Sequence, residues 1–344
     1  MILQESGWVR WTCPPIPTEC ATWSQAGRQR VRDIVNDPDD VIESDAATDP
    51  ACIISVVGPT AVGKSSLALE LASRIDADIV NADSMQGYVG MDIGTAKPTL
   101  EERTQVRHHC VDAWSPRDEI SVVEFRDAAR TAITDIRAQA RTPIVVGGSW
   151  LYVQAIVDEL DFPPTDPKIR ARWEDELVQV GPRALHERLR ESDPQAAADI
   201  DPGNARRIVR ALEVIELTGS FTARLPQPTP WHPTTWLGID ATRERLDLLI
   251  ADRIDTMWNA GFVDEVERVR AAGLGRTAAK ALGYEQIGRF LDGEIDETTA
   301  RAETIRATVK FARRQQRRFR QDPRIHWLDE AAPLEDALSQ LARL

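Results

Sequence analysis

Long apolar stretches are missing from this sequence. No run approaches the roughly 18 apolar residues that a membrane-spanning helix needs. The N-terminus has no basic stretch followed by an apolar core, so no secretory leader and no membrane association are expected. Cysteine is scarce. The four, Cys13, Cys20, Cys52 and Cys110, show no Cys-x-x-Cys spacing, and Cys13 and Cys20 have no histidines nearby, which argues against a zinc site. Cys52 and Cys110 lie in strand-like runs, where a buried free thiol is the ordinary outcome, and such usage fits a reducing cytoplasm. No internal repeat is evident. What is present is the composition of a soluble globular enzyme, 42% hydrophobic and 28% charged. With 344 residues the chain is long enough for two domains, or for one large domain with an insertion. A monomer is the default expectation.

Against this background one segment carries specific chemistry. Gly58-Pro59-Thr60-Ala61-Val62-Gly63-Lys64-Ser65 fits G-x-x-x-x-G-K-[ST]. A β-branched strand, Cys52–Val57, leads in, and a helix-forming run leads out. Glycines let such a loop fold around phosphates, and its N–H groups point inward at the positive end of a helix. Lys64 adds a mobile charge, and Ser65 offers a hydroxyl to Mg²⁺. The loop by itself does not say whether the phosphates belong to ATP or to another ligand.

Strands are expected at Cys52–Val57, Asp78–Asn81, His109–Ala113, Pro143–Val146 and Thr235–Ile239, and helices at Lys64–Arg74, Val122–Ala140 and Ser149–Glu159. The alternation predicts an α/β fold: a P-loop core with a parallel sheet and flanking helices, whose ligands sit at the carboxyl ends of the strands. Between Pro163 and Pro230 the strand pattern stops. Helices at Pro167–Val180, Ala184–Glu191, Pro194–Asp199 and Asn204–Thr218 read as a helical insertion, left through Pro226, Pro228, Pro230 and Pro233. Helices Arg243–Ala260, Val263–Ala272, Tyr284–Leu291 and about Asp296 to Arg320 follow. The divisions expected are an extension at 1–50, a core at 51–162 and 231–330, the insertion at 163–230 and a C-terminal tail at 331–344. The extension shows no sustained apolar period and reads as poorly ordered or as a start placed too far upstream, although Trp8, Trp11 and Trp23 are unusual for disorder and a short helix fits Ser24–Val35.

Several side chains admit two readings from the sequence. Asp83 ends the second strand and serves as a general base or Mg²⁺ neighbour, or equally as a turn cap. It lies close to the phosphate loop if the two strands are neighbours. Met91–Pro98 is either site lining or a connection. Ser149 opens a helix after two glycines, as an anion contact or an ordinary cap. His108 and His109 have no carboxylate or cysteine at ligand spacing and read as structural. Arg206, Arg207 and Arg210 crowd the start of a helix, where cations are unfavourable unless an outside anion compensates.

The formal net charge of −13 argues against nucleic acid, yet the charge is unevenly spread. Residues 301–324 hold nine Arg or Lys against Glu303 and Asp322, whereas residues 33–49 hold seven acids and no base. Arg306, Lys310, Arg313, Arg317 and Arg320 recur at helical steps, with Arg314 and Arg318 beside them. The scarcity of compensating acids favours contact with a phosphate backbone.

At this point the chain resembles the bacterial tRNA dimethylallyltransferases, also called tRNA isopentenyltransferases. The resemblance rests on the phosphate loop, Ala82-Asp-Ser-Met-Gln86, Gly90-Met-Asp-Ile-Gly-Thr-Ala-Lys-Pro98, His108-His109, Gly147-Gly-Ser-Trp-Leu-Tyr152, Arg206-Arg-Ile-Val-Arg-Ala-Leu-Glu213 and Ala281-Leu-Gly-Tyr-Glu285, in collinear order over roughly 51–330. The phosphate loop is shared with many kinases; the Asp-Ser-Met-Gln block with the loop at 90–98 is far more specific. The resemblance implies transfer of a dimethylallyl group from its diphosphate to N6 of adenosine 37 in tRNAs reading codons that begin with U. It implies catalytic roles for Asp83, Lys64 and Ser149, and a diphosphate held by the loop Gly58–Ser65, with Mg²⁺ on Ser65 and with Arg253. It also implies that the tRNA anticodon stem-loop meets Asp83, Ser84, Met85, Gln86, Ser149, Arg170 and Arg206, Arg207, Ile208, Val209 and Arg210, to which the basic face adds Arg313 and Arg317. Gly87 departs from the family's usual valine, which would loosen that turn. Ser149 stands for threonine and keeps the hydroxyl. Arg313-Arg-Gln-Gln-Arg-Arg-Phe-Arg320 loses an aromatic and gains charge against the common Lys-Arg-Gln-x-Thr-Trp-Phe-Arg. The competing readings are a small-molecule or nucleotide kinase, prenyl transfer to free adenine nucleotides, and a nucleotide-binding regulator without chemistry.

Overall fold

A computed structural model of the chain describes residues 52–222 and 227–343. The extension at 1–50, with the helix expected at Ser24–Val35, and Pro226 lie outside the described residues. Runs rich in Val and Ile, or otherwise apolar, form the strands β1 (Ile53–Val57), β2 (Ala77–Asn81), β4 (Thr142–Gly147) and β5 (Thr234–Gly238), and the short β3 (His108–His109) and β6 (Ile325–Trp327) complete the sheet. The strands are all parallel in the order β3-β2-β4-β1-β5-β6. Such a sheet is buried on both faces, which explains why β1 and β2 are apolar or buried at every position.

Helices cover the two faces. On one lie α1 (Lys64–Arg74) and, from the other end of the chain, α12 (Pro333–Ala342), whose Leu334, Leu338 and Leu341 join Leu67 and Leu71 in one apolar cluster. On the other lie α3 (Val122–Ala138) and α4 (Trp150–Val157), around Phe125, Ile133 and Ile156. A capping box, Ser121 with Glu124, starts α3, and another, Thr99 with Glu102, starts α2 (Leu100–Gln105). The helices α8 (Arg243–Asn259), α9 (Phe262–Ala272), α10 (Tyr284–Leu291) and α11 (Glu297–Phe319) share a third cluster with Tyr88 and Met91.

Between α4 and β5 the chain leaves the sheet to build α5 (Pro167–Ser192), α6 (Pro194–Asp199) and α7 (Ala205–Thr218). These close on their own cluster, which includes Leu185, Leu189, Ile208 and Leu212. Asp166 and Asp193 cap helices that begin with proline, where a missing N–H costs nothing. Gly181, with φ 80° and ψ 165°, breaks α5 just before Pro182, so the run from 167 to 192 is two helical pieces, as the separate helices expected on either side of it imply.

The segment 331–344, expected as a C-terminal tail, carries α12, which is packed on the core. One expectation is corrected. The strand expected at His109–Ala113 stops at His109, because Cys110 (φ 60°) and Asp112 (φ 52°) turn left-handed. That turn lets the Asn81 side chain donate to the Cys110 carbonyl at 2.9 Å. The histidines are structural: His109 Nε2 lies 3.0 Å from Asp78, and His108 Nδ1 lies 2.7 Å from the Val106 carbonyl.

Candidate active site

The register brings the loops together. Val57 is level with Gly147 of β4 and Gly238 of β5, and Asn81 with Val146. The phosphate loop, the Asp83 turn and the Gly147–Ser149 turn therefore leave the sheet at the same edge. β2 and β1 are not neighbours, since β4 lies between them. Their approach depends on Gly147: a Cβ there would fall 2.7 Å from Cβ of Ala82.

The loop is shaped as its glycines demand. Gly58 has φ 147°, and a Cβ on it would fall 2.1 Å from the carbonyl oxygen of Ile239. Ala61 (φ 73°) and Gly63 (φ 93°) are left-handed, and Gly63 caps α1 with no side chain and no acid in its first turn. The helix thus presents bare N–H groups to an anion. Lys64 bends back to donate to the Pro59 carbonyl at 2.6 Å. Burial, then the nearby Arg253 guanidinium, lower its pKa to about 7, against the pull of Asp83. Ser65 is exposed at the loop's outer rim.

Asp83 faces these two cations. Burial pushes its pKa up, opposed by N–H donation from Met85 (3.0 Å) and Gln86 and by the charges of Lys64 and Arg253. The carboxylate is both turn cap and charged group, so the two readings of Asp83 coexist. Asn81 fixes its backbone by accepting from Asp83 N–H and donating to its carbonyl, both at 2.8 Å. Arg253 projects from α8 and, among the described residues, has no carboxylate within ion-pair distance. Beside Asp83, Tyr152 hydrogen-bonds Ser84 and feels the charge of Arg206, which connects the insertion to this site. Ser149 starts α4 without making a side-chain cap, so its half-buried hydroxyl is not spent on the helix.

The 90–98 loop is held by Glu265, which sequence reasoning missed, and by its own Lys97. Glu265, 1% exposed, accepts from the N–H groups of Asp92, Ile93 and Gly94 at 2.7–3.0 Å and from the Tyr284 hydroxyl at 2.6 Å. Lys97, its side chain 1% exposed, donates to Asp92, Asp112 and the Tyr88 carbonyl. So braced, the loop offers the Thr95 and Ala96 carbonyls to the Gln86 amide, each at 3.1 Å. Gly87 does not loosen the neighbouring turn. Its φ is ordinary, its carbonyl accepts from Ala113 and Trp114, and a Cβ would fall 2.6 Å from the Trp114 ring, so its smallness makes room for that indole.

The residues expected to meet RNA separate into groups. Arg206 and Arg207 are exposed at the start of α7. Ile208 and Val209, 0% and 4% exposed, are core residues of the insertion, where apolar packing rather than a ligand holds them. Arg170 and Arg210 both bind the buried Glu213, at 2.7 and 2.8 Å, and Arg210 also donates to the Pro163 and Pro164 carbonyls. These two guanidiniums brace the insertion against the segment that leads into it, and what they hold in place is the start of α5. On α11 the basic residues divide between two sides. Arg313, Arg317 and Arg320 line, with Arg243, an open groove of about 430 Å³; Arg313 is paired with Asp247 and Arg320 with Asp240. Arg318 lies over the Trp150 ring, 5.3 Å from its centroid. Trp150 packs on Phe319 and Trp236, and so supplies the aromatic mass that position 318 lacks.

Residues 86–322 match the family model described as IPP transferase. A tRNA dimethylallyltransferase of Salinispora arenicola is 56% identical over 282 residues, which is 81% of this chain and 82% of that protein. One of Thermobifida fusca is 56% identical over 289 residues, 82% of this chain and 91% of its own. Among solved structures, the full-length tRNA isopentenylpyrophosphate transferase of Bacillus halodurans superposes with a TM-score of 0.60 at 34% identity, over 86% of this chain and all of the other. By sequence and by fold alike, the chain belongs to the IPP transferase family, that of the tRNA dimethylallyltransferases.

Proposed function

We propose that the protein transfers a dimethylallyl group from dimethylallyl diphosphate to N6 of adenosine 37 in the anticodon loop of tRNAs reading codons that begin with U. The observation that carries this reading is the placement of Asp83 opposite Lys64 and Arg253 at the mouth of the phosphate loop. In the reaction the C1–O bond of the donor breaks, the N6–C1 bond forms, diphosphate leaves with the bonding pair and one N6 proton is lost. Departing diphosphate needs fixed positive charge and hydrogen-bond donors, which the loop N–H groups at the start of α1, the Thr60 hydroxyl, Lys64 and Arg253 offer. The amine needs orientation more than deprotonation before attack, and a carboxylate held by two backbone N–H groups gives it a fixed acceptor. The raised pKa of Asp83 makes it a better final acceptor for the proton than an exposed aspartate. The unspent Ser149 hydroxyl is a second group for the acceptor nucleoside.

Among the described residues no cluster of three or more metal-ligating side chains exists. Ser65 alone suits Mg²⁺ that keeps its waters and takes phosphate oxygens, so the ion would arrive with the diphosphate and neutralise its charge. The target base has to leave its stack to reach Asp83. Arg206 and Arg207, on a helix start with no acid in its first turn, are suited to the RNA backbone. No helix among the described residues is long and apolar enough to cross a membrane. A cytoplasmic monomer acting on tRNA is the working form we infer.

The test is transfer of label from dimethylallyl diphosphate to tRNA, AMP or no acceptor, with labelled ATP in parallel. Label is expected in tRNA. Label in AMP would select the free-nucleotide prenyl transferases, and consumption of ATP a kinase. Asp83→Ala is expected to remove most turnover while leaving tRNA affinity nearly intact; a rate within about threefold of the parent would sink the role of Asp83.

A further inference from the structure

One side chain ties the donor end of the site to the acceptor end. Gln315 projects from α11, 8% exposed, and its Oε1 accepts from the Thr60 N–H at 2.9 Å, across a sequence separation of 255. Its Nε2 lies against Gly148, close enough that a Cβ on that glycine would fall 2.5 Å away, and the same Cβ would be 3.4 Å from the Gly58 carbonyl oxygen. The amide is therefore wedged between the phosphate loop and the turn that carries Ser149. α11 itself is firmly seated. Ala312 and Phe319 are fully buried, and Gln316 donates to Asp240 at 2.6 Å and to the Ala241 carbonyl at 2.9 Å. A well-packed helix thus delivers a planar, bifunctional side chain to the gap between a glycine-rich loop and a helix-opening turn.

We propose that Gln315 is a positioning residue for group transfer: by holding the Thr60 N–H and abutting Gly148 it sets the spacing between the diphosphate cradle and the Ser149 turn. This rests on the reading that the loop holds the donor's diphosphate. Thr60 is the third residue of that loop. Its N–H belongs to the Pro59–Thr60 peptide, so the bond to Gln315 fixes that plane, whose carbonyl accepts from Lys64, just before the left-handed Ala61. Small displacements matter here, because a bond forms between two separately bound partners and in-line alignment decays within about an ångström.

The predicted signature separates positioning from packing. Gln315→Met keeps the length and bulk but cannot accept from Thr60. We expect diphosphate, titrated with Mg²⁺ by calorimetry, to bind tenfold or more weakly, and the single-turnover rate with saturating donor and tRNA to fall at least tenfold. The tRNA dissociation constant should stay within twofold and the unfolding midpoint within a few degrees. Gln315→Glu restores the acceptor but adds a negative charge beside the cradle. Its affinity for diphosphate, relative to the parent at each pH, should recover as the pH falls and the carboxyl, then isosteric with the amide, becomes neutral. Diphosphate affinity and rate within twofold of the parent in Gln315→Met would overturn the proposal. So would an equal weakening of diphosphate and tRNA, which would mark a general packing defect. A parent protein that does not bind diphosphate would instead refute the donor reading and leave the two failures distinct.

Discussion

At the scale of single residues the lysine of the phosphate loop has a property that a motif match does not convey. In the ligand-free chain Lys64 titrates at about 7, since burial and then Arg253 oppose its charge. A lysine lowered in this way is an ammonium below that value and an amine above it, whereas a bound diphosphate favours the ammonium. Donor binding at pH 8 is therefore expected to take up close to one proton, and affinity should fall as pH rises above about 7. Calorimetry in buffers of different ionisation enthalpy reads the uptake directly. Lys64→Arg, whose charge does not titrate, should abolish it while keeping measurable binding; absence of uptake in the parent would contradict the depressed pKa. The residues of this site were unequally visible in the sequence. Lys64, Asp83 and Ser149 announce themselves, because their neighbours are glycines and strand ends. Glu265 and Gln315 do not. Each acts on backbone N–H groups more than 170 positions away, so no local spacing marks them, and each sits on a helix where a Glu or a Gln is ordinary.

At the scale of elements, the 90–98 loop shows how a segment without regular structure can be rigid. Three consecutive N–H groups converge on one carboxylate, an arrangement in which a charged acceptor replaces the partners a helix or strand would provide. Glu265→Gln would turn an amide N–H₂ toward these donors or toward Tyr284, orphaning at least one of them. A loss of about 1–3 kcal/mol is expected from urea unfolding, with slower transfer because Gln86 loses its fixed carbonyl partners. A change below about 0.5 kcal/mol would mean that the loop is held elsewhere. The Gly87–Trp114 pair predicts an opposite kind of defect. Gly87→Val forces a side chain into the indole and should cost about 1–3 kcal/mol. Trp114→Leu in the same chain should recover part of that, as coupled neighbours do; strict additivity would sever the link. Helix ends were legible from capping and from glycine and proline, as α1, α6 and α10 show. β6 was not legible, since three residues between a helix and a polar turn carry no alternation to read. The strand past His109 was overread for the converse reason: Cys110 looks like a strand residue until the turn toward Lys97 makes it left-handed.

At the scale of the whole molecule a net charge of −13 stands against binding RNA, and the resolution is geometric. The sheet sets a polarity: the phosphate loop, Asp83 and the turn before α4 share the carboxyl edge of the strands, and α11 brings its arginines to that edge through Gln315. Within the groove beside α11, Arg313 and Arg320 have carboxylate partners, while Arg243 and Arg317 form no ion pair among the described residues. Each arginine that neutralises a phosphate releases counterion, about 0.7–0.9 in the slope of log K against log salt. Replacing Arg313 and Arg317 together by alanine should thus lower the slope for tRNA by about 1.5, and Arg317→Ala alone by about half of that. Arg74 ends α1 at the opposite edge of the sheet, so Arg74→Ala is expected to leave the slope unchanged. Slopes from filter binding at several salt concentrations decide the matter. If the double variant keeps the parent's slope, the α11 groove faces solvent and the RNA is held by the arginines of α7. If Arg74→Ala lowers it equally, the effect is one of total charge, and the polarity of the sheet has no part in it.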